Sequence, residues 1–353
     1  MIKRKGFLWR KKKKMMDNKE LVESFLKGTV RGIAEDGLIP AHIETQISHL
    51  FLFPSAVYKL SKRDNAFFNE HFRDLSSREE RLRFYKADFF ENQYFSPKVY
   101  LELYGVYQEA GGSILRLGVE QNAEDAVMKM QRIDLSYNLS NLLHKKSLSE
   151  DDFREMGYQQ TKAVALYPSQ PKSAENYFEL FQSKLDDLRD WMESADRDYF
   201  SAEEINQVIR ILKEYVDKKK SEFENVDTNS YVISLDNHSD NIFYESGMMF
   251  FLDIYPPKED WMIVTPWINI YRPAADIFIL MGEKYARAFL AGYKDYYGNF
   301  NESHENLYFI YSAAIQAVSL RNLSKGDPKK LKDSIVYKNF IFEKLNELCV
   351  RSR

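Results

Sequence analysis

The chain has 353 residues, enough for two domains or one domain of two lobes. Hydrophobic residues make up 44% and charged residues 29%, which supports a large core and excludes a disordered chain. The formal net charge of -3 argues against nucleic-acid binding by bulk electrostatics, and no apolar run approaches the roughly 20 residues that span a bilayer. The single cysteine, Cys349, excludes an intrachain disulfide and fits a reducing, cytoplasmic setting.

Residues 1–20 read as a basic, disordered tail, with Lys3, Arg4, Lys5 and then Arg10 to Lys14; no apolar segment follows, as a signal peptide would need. Leu21 to Val30 predicts a short helix. Glu44 to Phe53 is rich in β-formers, Pro54-Ser55 makes a turn, and Ala56 to Leu60 returns. The result is a hairpin with Lys59 in its second strand. Such a lysine is either an edge residue with its ammonium in water or a functional group. Ser77-Arg78-Glu79-Glu80 is a capping box that opens a helix reaching about Tyr94. Leu82, Tyr85, Phe89 and Asn92 share one face of it, with Asp88 beside them. Ser96-Pro97 stops the helix. Val99 to Tyr107, Ser113 to Val119 and Ala126 to Ile133 read as strands.

Beyond Asp134 the pattern is helical. Helices are expected over Leu135 to His144, from Ser149 to about Tyr167, along the Tyr177 to Trp191 stripe, and after the capping box Ser201-Ala202-Glu203-Glu204. Val232 to Ile254 interrupts them with strand-like runs around Glu245-Ser246-Gly247, a hairpin turn. An apolar excursion, Trp261 to Ile270, precedes helices over Ala274 to Tyr293, His304 to Leu323 and Lys330 to Leu348. The chain is therefore α+β: a β-rich lobe over residues 21–133 and a helical lobe over 134–353, with a ligand cleft expected between them.

Three oxygen donors gather in the interrupted stretch. Asp236 and Asn241 have the Asp-x-x-x-x-Asn spacing of a kinase catalytic loop, and Asp253 follows at the far end of the hairpin. Alone this spacing is weak; a strand lysine and a helix carboxylate upstream strengthen it. Metal binding by Asp236, His238 and Asp240 is the other reading of the loop.

These residues carry a resemblance. Glu44-Thr45-Gln46-Ile47-Ser48, Val57-Tyr58-Lys59, Asn92 to Leu101, Val127 to Ile133, Asp236 to Ile242 and Phe250 to Ile254 resemble, in order and spacing, segments of the aminoglycoside-phosphotransferase-like kinases. The closest likeness is to a poorly characterised bacterial group of that superfamily, over roughly residues 30 to 325. The resemblance implies a protein-kinase-like bilobal fold that binds ATP and Mg²⁺ and acts on a hydroxyl group of a small molecule. Asp236 would be the catalytic base. Asn241 and Asp253 would hold the metal, Lys59 the phosphates, and Asp88 would pair with Lys59. Met130 to Arg132 would face adenine, and Asp276 would brace the catalytic loop. Three departures stand out. Ser234-Leu235 replaces the family's His-Gly before the base, Asp88 replaces a Glu, and Pro256 replaces an acidic residue. The departures raise two alternatives, a nucleotide-binding pseudokinase and an AMP transferase. Asp186, Asp187, Asp190, Glu193, Glu259 and Asp260 are either a patch for a cationic acceptor or a solvated helix face.

Overall fold

The computed structural model describes residues 18–45, 47–109, 112–168, 176–195, 198–227, 232–256, 258, 261–298, 302–324 and 326–351. The basic run from Lys3 to Lys14 lies outside them. Two compact units emerge: residues 1–93 with 97–133, and residues 94–96 with 134–353.

The first unit carries α1 (Asn18–Leu26), β1 (Ala41–Glu44), β2 (Ser48–Leu52), β3 (Ala56–Ser61), α2 (Ala66–His71), most of α3 (Arg78–Phe95), β4 (Tyr100–Glu109), β5 (Gly112–Leu117) and β6 (Asp125–Gln131). Asn18 to Glu20, read from sequence as tail, are already helical. The six strands form one antiparallel sheet in the order β1-β2-β3-β6-β4-β5. The hairpin expected from Glu44 to Leu60 is present as β2 paired with β3, but its first strand starts only at Ser48; Glu44 instead ends β1, which reverses to pair with β2. Thr45 forces the reversal: its hydroxyl accepts from the Ser48 backbone N–H at 2.9 Å, a local bond that competes with an extended chain. Leu21 and Phe25 of α1 close one face of the sheet against Phe51, Tyr58, Leu60 and Val127.

Helix α3 is fixed by a buried polar stripe. Arg81, Tyr85, Asp88 and Asn92 follow one another at helical spacing, and all four are buried. The fully buried Arg81 donates to the Asp125 carboxylate at 3.1 Å and to the carbonyls of Leu75, Ser76 and Glu124. A second guanidinium, Arg63, meets the other Asp125 oxygen at 2.9 Å. The Tyr85 hydroxyl accepts from the backbone N–H of Ser61 on β3. The stripe thus ties α3 to β6 and β3 at successive turns.

The second unit carries α4 (Leu139–Lys145), α5 (Glu150–Ala165), α6 (Tyr177–Glu193), α7 (Ala202–Lys218), α8 (Lys220–Glu224), β7 (Val232–Ile233), β8 (Ile242–Glu245), β9 (Met248–Phe251), β10 (Ile263–Val264), α9 (Pro266–Met281), α10 (Glu283–Tyr297), α11 (Glu305–Asn322) and α12 (Pro328–Arg351). The expected capping box at Ser201 is formed in full, and the helix start expected at Ser149 is closed by a capping box as well. None of the described helices is long and apolar enough to cross a membrane.

Two expected helices are broken. Leu135 to His144 is a short 3-10 turn followed by α4, because Asn138 leaves the helix to donate to the carbonyl of Asp240 at 2.6 Å. Ala274 to Tyr293 is the end of α9 and most of α10, separated by Gly282 at φ 107°. Helix α9 itself starts eight residues earlier than expected, with Pro266 in its first turn and Pro273 inside it.

Helices α5 and α10 meet backbone to backbone. A Cβ on Gly157 would lie 2.0 Å from the carbonyl oxygen of Phe289, and one on Gly292 would lie 1.9 Å from that of Arg154. Only glycine fits at either place.

Two outcomes test these fixings. Arg81→Met strands half of the buried Asp125 pair and is expected to cost about 3–5 kcal/mol in urea unfolding. Burial would raise the Glu204 carboxyl, but its bonds to Lys338 and the Ser201 backbone hold it below its ordinary value. Its contribution is therefore present above about pH 4.5 and is lost as pH falls through the lower folded value. Glu204→Gln is expected to lower Tm by about 1–2 °C at pH 7 and by nothing measurable at pH 3.

Candidate active site

In the first unit, Lys59 lies on β3, which is paired on both sides, and is only 5% exposed. It is not an edge lysine with its ammonium in water. The register sets it opposite Met128 of β6, and Val57 opposite Met130. Strand alternation puts Val57, Lys59, Met128 and Met130 on one face, away from the Tyr58 and Leu60 face that packs on α1. Asp88 is buried on α3, and its carboxylate accepts from the Asn92 side chain at 2.6 Å. It stands one turn past Tyr85 on the polar stripe, as Lys59 stands two residues back along β3 from Ser61.

In the second unit, β7 leads into the loop 234–241. Two-residue turns between β8 and β9 need positive φ at both positions, and Ser246 (52°) and Gly247 (78°) supply it. The returning strand ends at Phe251, and Asp253, two residues on, is left-handed at φ 53° and exposed. The Asn241 side-chain nitrogen donates to the carbonyls of Asp236 at 2.8 Å and Asp253 at 3.3 Å. One carboxamide thus ties the two ends of the motif together, and its oxygen Oδ1 is turned away from those carbonyls. Asn241 Oδ1 and the Asp253 carboxylate are hard oxygen donors of the kind Mg²⁺ takes, with phosphate and water completing the shell. Among the described residues no group of three or more His, Cys, Asp or Glu is arranged to hold a metal ion.

The loop is held from α9. Asn269, Arg272 and Asp276 sit at i, i+3 and i+7, one stripe of the helix. The Asn269 side chain accepts from the Leu235 N–H at 2.9 Å and donates to the Ile233 carbonyl at 2.7 Å. Its backbone carbonyl accepts from Asn237 at 2.7 Å and from Gln160 of α5 at 2.8 Å. Arg272 reaches Asp236 Oδ1 at 3.1 Å. Asp276 accepts from the Ser239 N–H and from the Tyr337 hydroxyl, each at 2.7 Å. Burial pushes the Asp276 carboxyl up, and these two bonds oppose the push. The expected brace by Asp276 is present.

Ser234-Leu235 has a local explanation. Leu235 is buried in the unit's core, and Asn269 supplies both backbone partners of the adjoining chain. Sequence reasoning missed Asn269 and Arg272. A polar i, i+3, i+7 stripe in an otherwise apolar run was the available signal, and it was hidden because the helix was expected to begin only at Ala274, past the proline. Two residues of the acidic patch are paired: Asp186 with Lys213 at 2.5 Å, and Asp187, which accepts from Lys258 at 2.7 Å and the Trp261 indole at 2.8 Å. Glu193 lies 4.0 Å from Arg189, and Glu259 and Asp260 fall outside the described residues.

No family model matches the chain, and no curated protein matches it by sequence. Solved structures do match. Aminoglycoside 2'-phosphotransferase-IIIa, determined as its GDP complex, aligns with a TM-score of 0.51 at 10% identity, over 94% of this chain and 99% of that one. The chain shares the fold of aminoglycoside and choline kinases. A choline kinase from Cryptosporidium parvum Iowa II gives a TM-score of 0.51 at 11% identity, over 95% of this chain and 97% of that one. The fold class is thus that of a protein-kinase-like α+β chain.

The α9 brace is testable by itself. Asn269→Leu keeps the volume but removes the side-chain bonds to the buried Leu235 N–H and to the Ile233 carbonyl. It is expected to cost about 2–4 kcal/mol and to speed hydrogen exchange at the Leu235 amide. Asn269→Asp, which keeps the acceptor, is expected to protect that amide more than Leu does.

Proposed function

We propose that the protein is an ATP- and Mg²⁺-dependent phosphotransferase acting on a hydroxyl group of a small molecule. The observation that carries this reading is the Asn241 carboxamide bridging the carbonyls of Asp236 and Asp253. It makes base and metal ligands one rigid unit, as positioning-dominated chemistry requires. In this reading the acceptor oxygen forms a bond to the γ-phosphorus and the bond to the β–γ bridging oxygen breaks. ADP leaves, and the acceptor proton passes to Asp236. Asn241 and Asp253 would hold Mg²⁺, which when bound would offset charge on the phosphates. Lys59 would contact the α- and β-phosphates, and Asp88 would orient Lys59. The shared step of the α3 stripe and β3 supports that pairing. Met130, on the Lys59 face, would lie against the base.

Incubation with Mg²⁺, ATP labelled at the α- or γ-position, and a pooled metabolite extract tests the reading. Transfer of γ-label is expected, and Asp236→Asn is expected to lower it about 10²–10⁴-fold. ATP that raises thermal stability without any transfer would mean a nucleotide-binding pseudokinase. Transfer of the α-label would mean AMP transfer.

A further inference from the structure

We infer that Arg272 is a positioning residue for the Asp236 carboxylate, an inference that rests on the phosphotransferase reading. Arg272 is only 8% exposed, an uncommon place for a guanidinium. It is held at two points. One nitrogen, Nη1, donates to the carbonyl of Ser312 on α11 at 3.2 Å, and the other, Nη2, donates to Asp236 Oδ1 at 3.1 Å. A planar group anchored twice has a fixed direction. Tyr311 lies against the same guanidinium, whose charge opposes the upward push that burial gives the phenol. The groups that face the Asp236 carboxylate are therefore Arg272 from α9 and His238 from its own loop.

The Asp236 side chain is 38% exposed, so solvent does not hold it in one rotamer. The last torsion of an aspartate is broad and two-fold. Pinning Oδ1 to Arg272 removes that freedom and assigns the two oxygens different work. Oδ1 is committed to the guanidinium. Oδ2 lies 3.9 Å from His238 Nε2, beyond hydrogen-bond length, and is the oxygen left to receive the acceptor proton. Phosphoryl transfer depends on orientation of the nucleophile, and a carboxylate that swings presents its lone pair for only part of the time. Arg272 acts through Asp236 and need not touch substrate.

Hydrolysis of MgATP, with water standing in for the acceptor, supplies the test. Water oxygen bonds to the γ-phosphorus, the β–γ bridge bond breaks, and the water proton passes to Asp236. Arg272→Met is expected to lower kcat about 10- to 100-fold with KM for MgATP within about threefold of wild type, and Arg272→Lys to restore part of the loss. The Met change is expected to have no further effect when made on Asp236→Asn, because the group it positions is gone. Should Arg272→Met fail to fold, Arg272→Gln and Arg272→Lys carry the same cycle. Equal losses in the two backgrounds, or a lowered Tm with unchanged kcat per folded molecule, overturn the inference and leave the phosphotransferase reading standing. Absence of any γ-phosphate release by the wild type, with or without metabolite extract, overturns both.

Discussion

Much of the second unit depends on a hydrogen bond that its helix cannot make. Pro273 sits inside α9 and has no N–H, so the carbonyl four residues earlier, that of Asn269, receives no donor from its own helix. A buried carbonyl without a partner costs about 1–3 kcal/mol. Asn237 and Gln160 supply the missing donors. The helix defect thus joins α9 to the loop and to α5. Asn269 adds its side chain to the same junction, and Arg272 and Asp276 continue it along one stripe.

The first unit solves a like problem in a like way. Helix α3 buries a polar stripe and satisfies it through backbone groups and one carboxylate. In both units the polar groups of the stripe are bonded to several different segments, so displacement of either helix would leave several groups unpaired together. This gives orientation where apolar packing alone would tolerate a range of positions. Candidate chemistry sits on each stripe: Asp88 within one, and the Asp236 loop against the other.

Local signals were the legible ones. The Ser149 helix start, the Ser201 capping box and the Ser246-Gly247 hairpin are each written in a few adjacent residues, and each appears in the fold. The hairpin from Glu44 to Leu60 formed, but its first strand begins only at Ser48, because the Thr45 hydroxyl bonds the Ser48 backbone in a reversal that β-propensity does not mark. The helix over Leu135 to His144 failed because Asn138 bonds a residue about a hundred positions away. Helix α9 was expected to begin only at Ala274, past the proline, and the donors that excuse Pro273 lie on other segments. The brace by Asn269 and Arg272 was hidden for the same reason. Resemblance identified the residues of the loop; what holds them depends on contacts that no short window contains.

The glycine seam between α5 and α10 bears on how such a chain can vary. Gly157 and Gly292 each leave room for the opposite helix's carbonyl, and Gln160, one turn beyond Gly157, reaches the Asn269 oxygen. Any side chain at either glycine would lift α5 and carry Gln160 with it. Descendants of this protein could therefore drift freely over the solvent face of α5 while these two positions stay frozen. Their intolerance would mimic that of reacting groups, although neither glycine touches the loop.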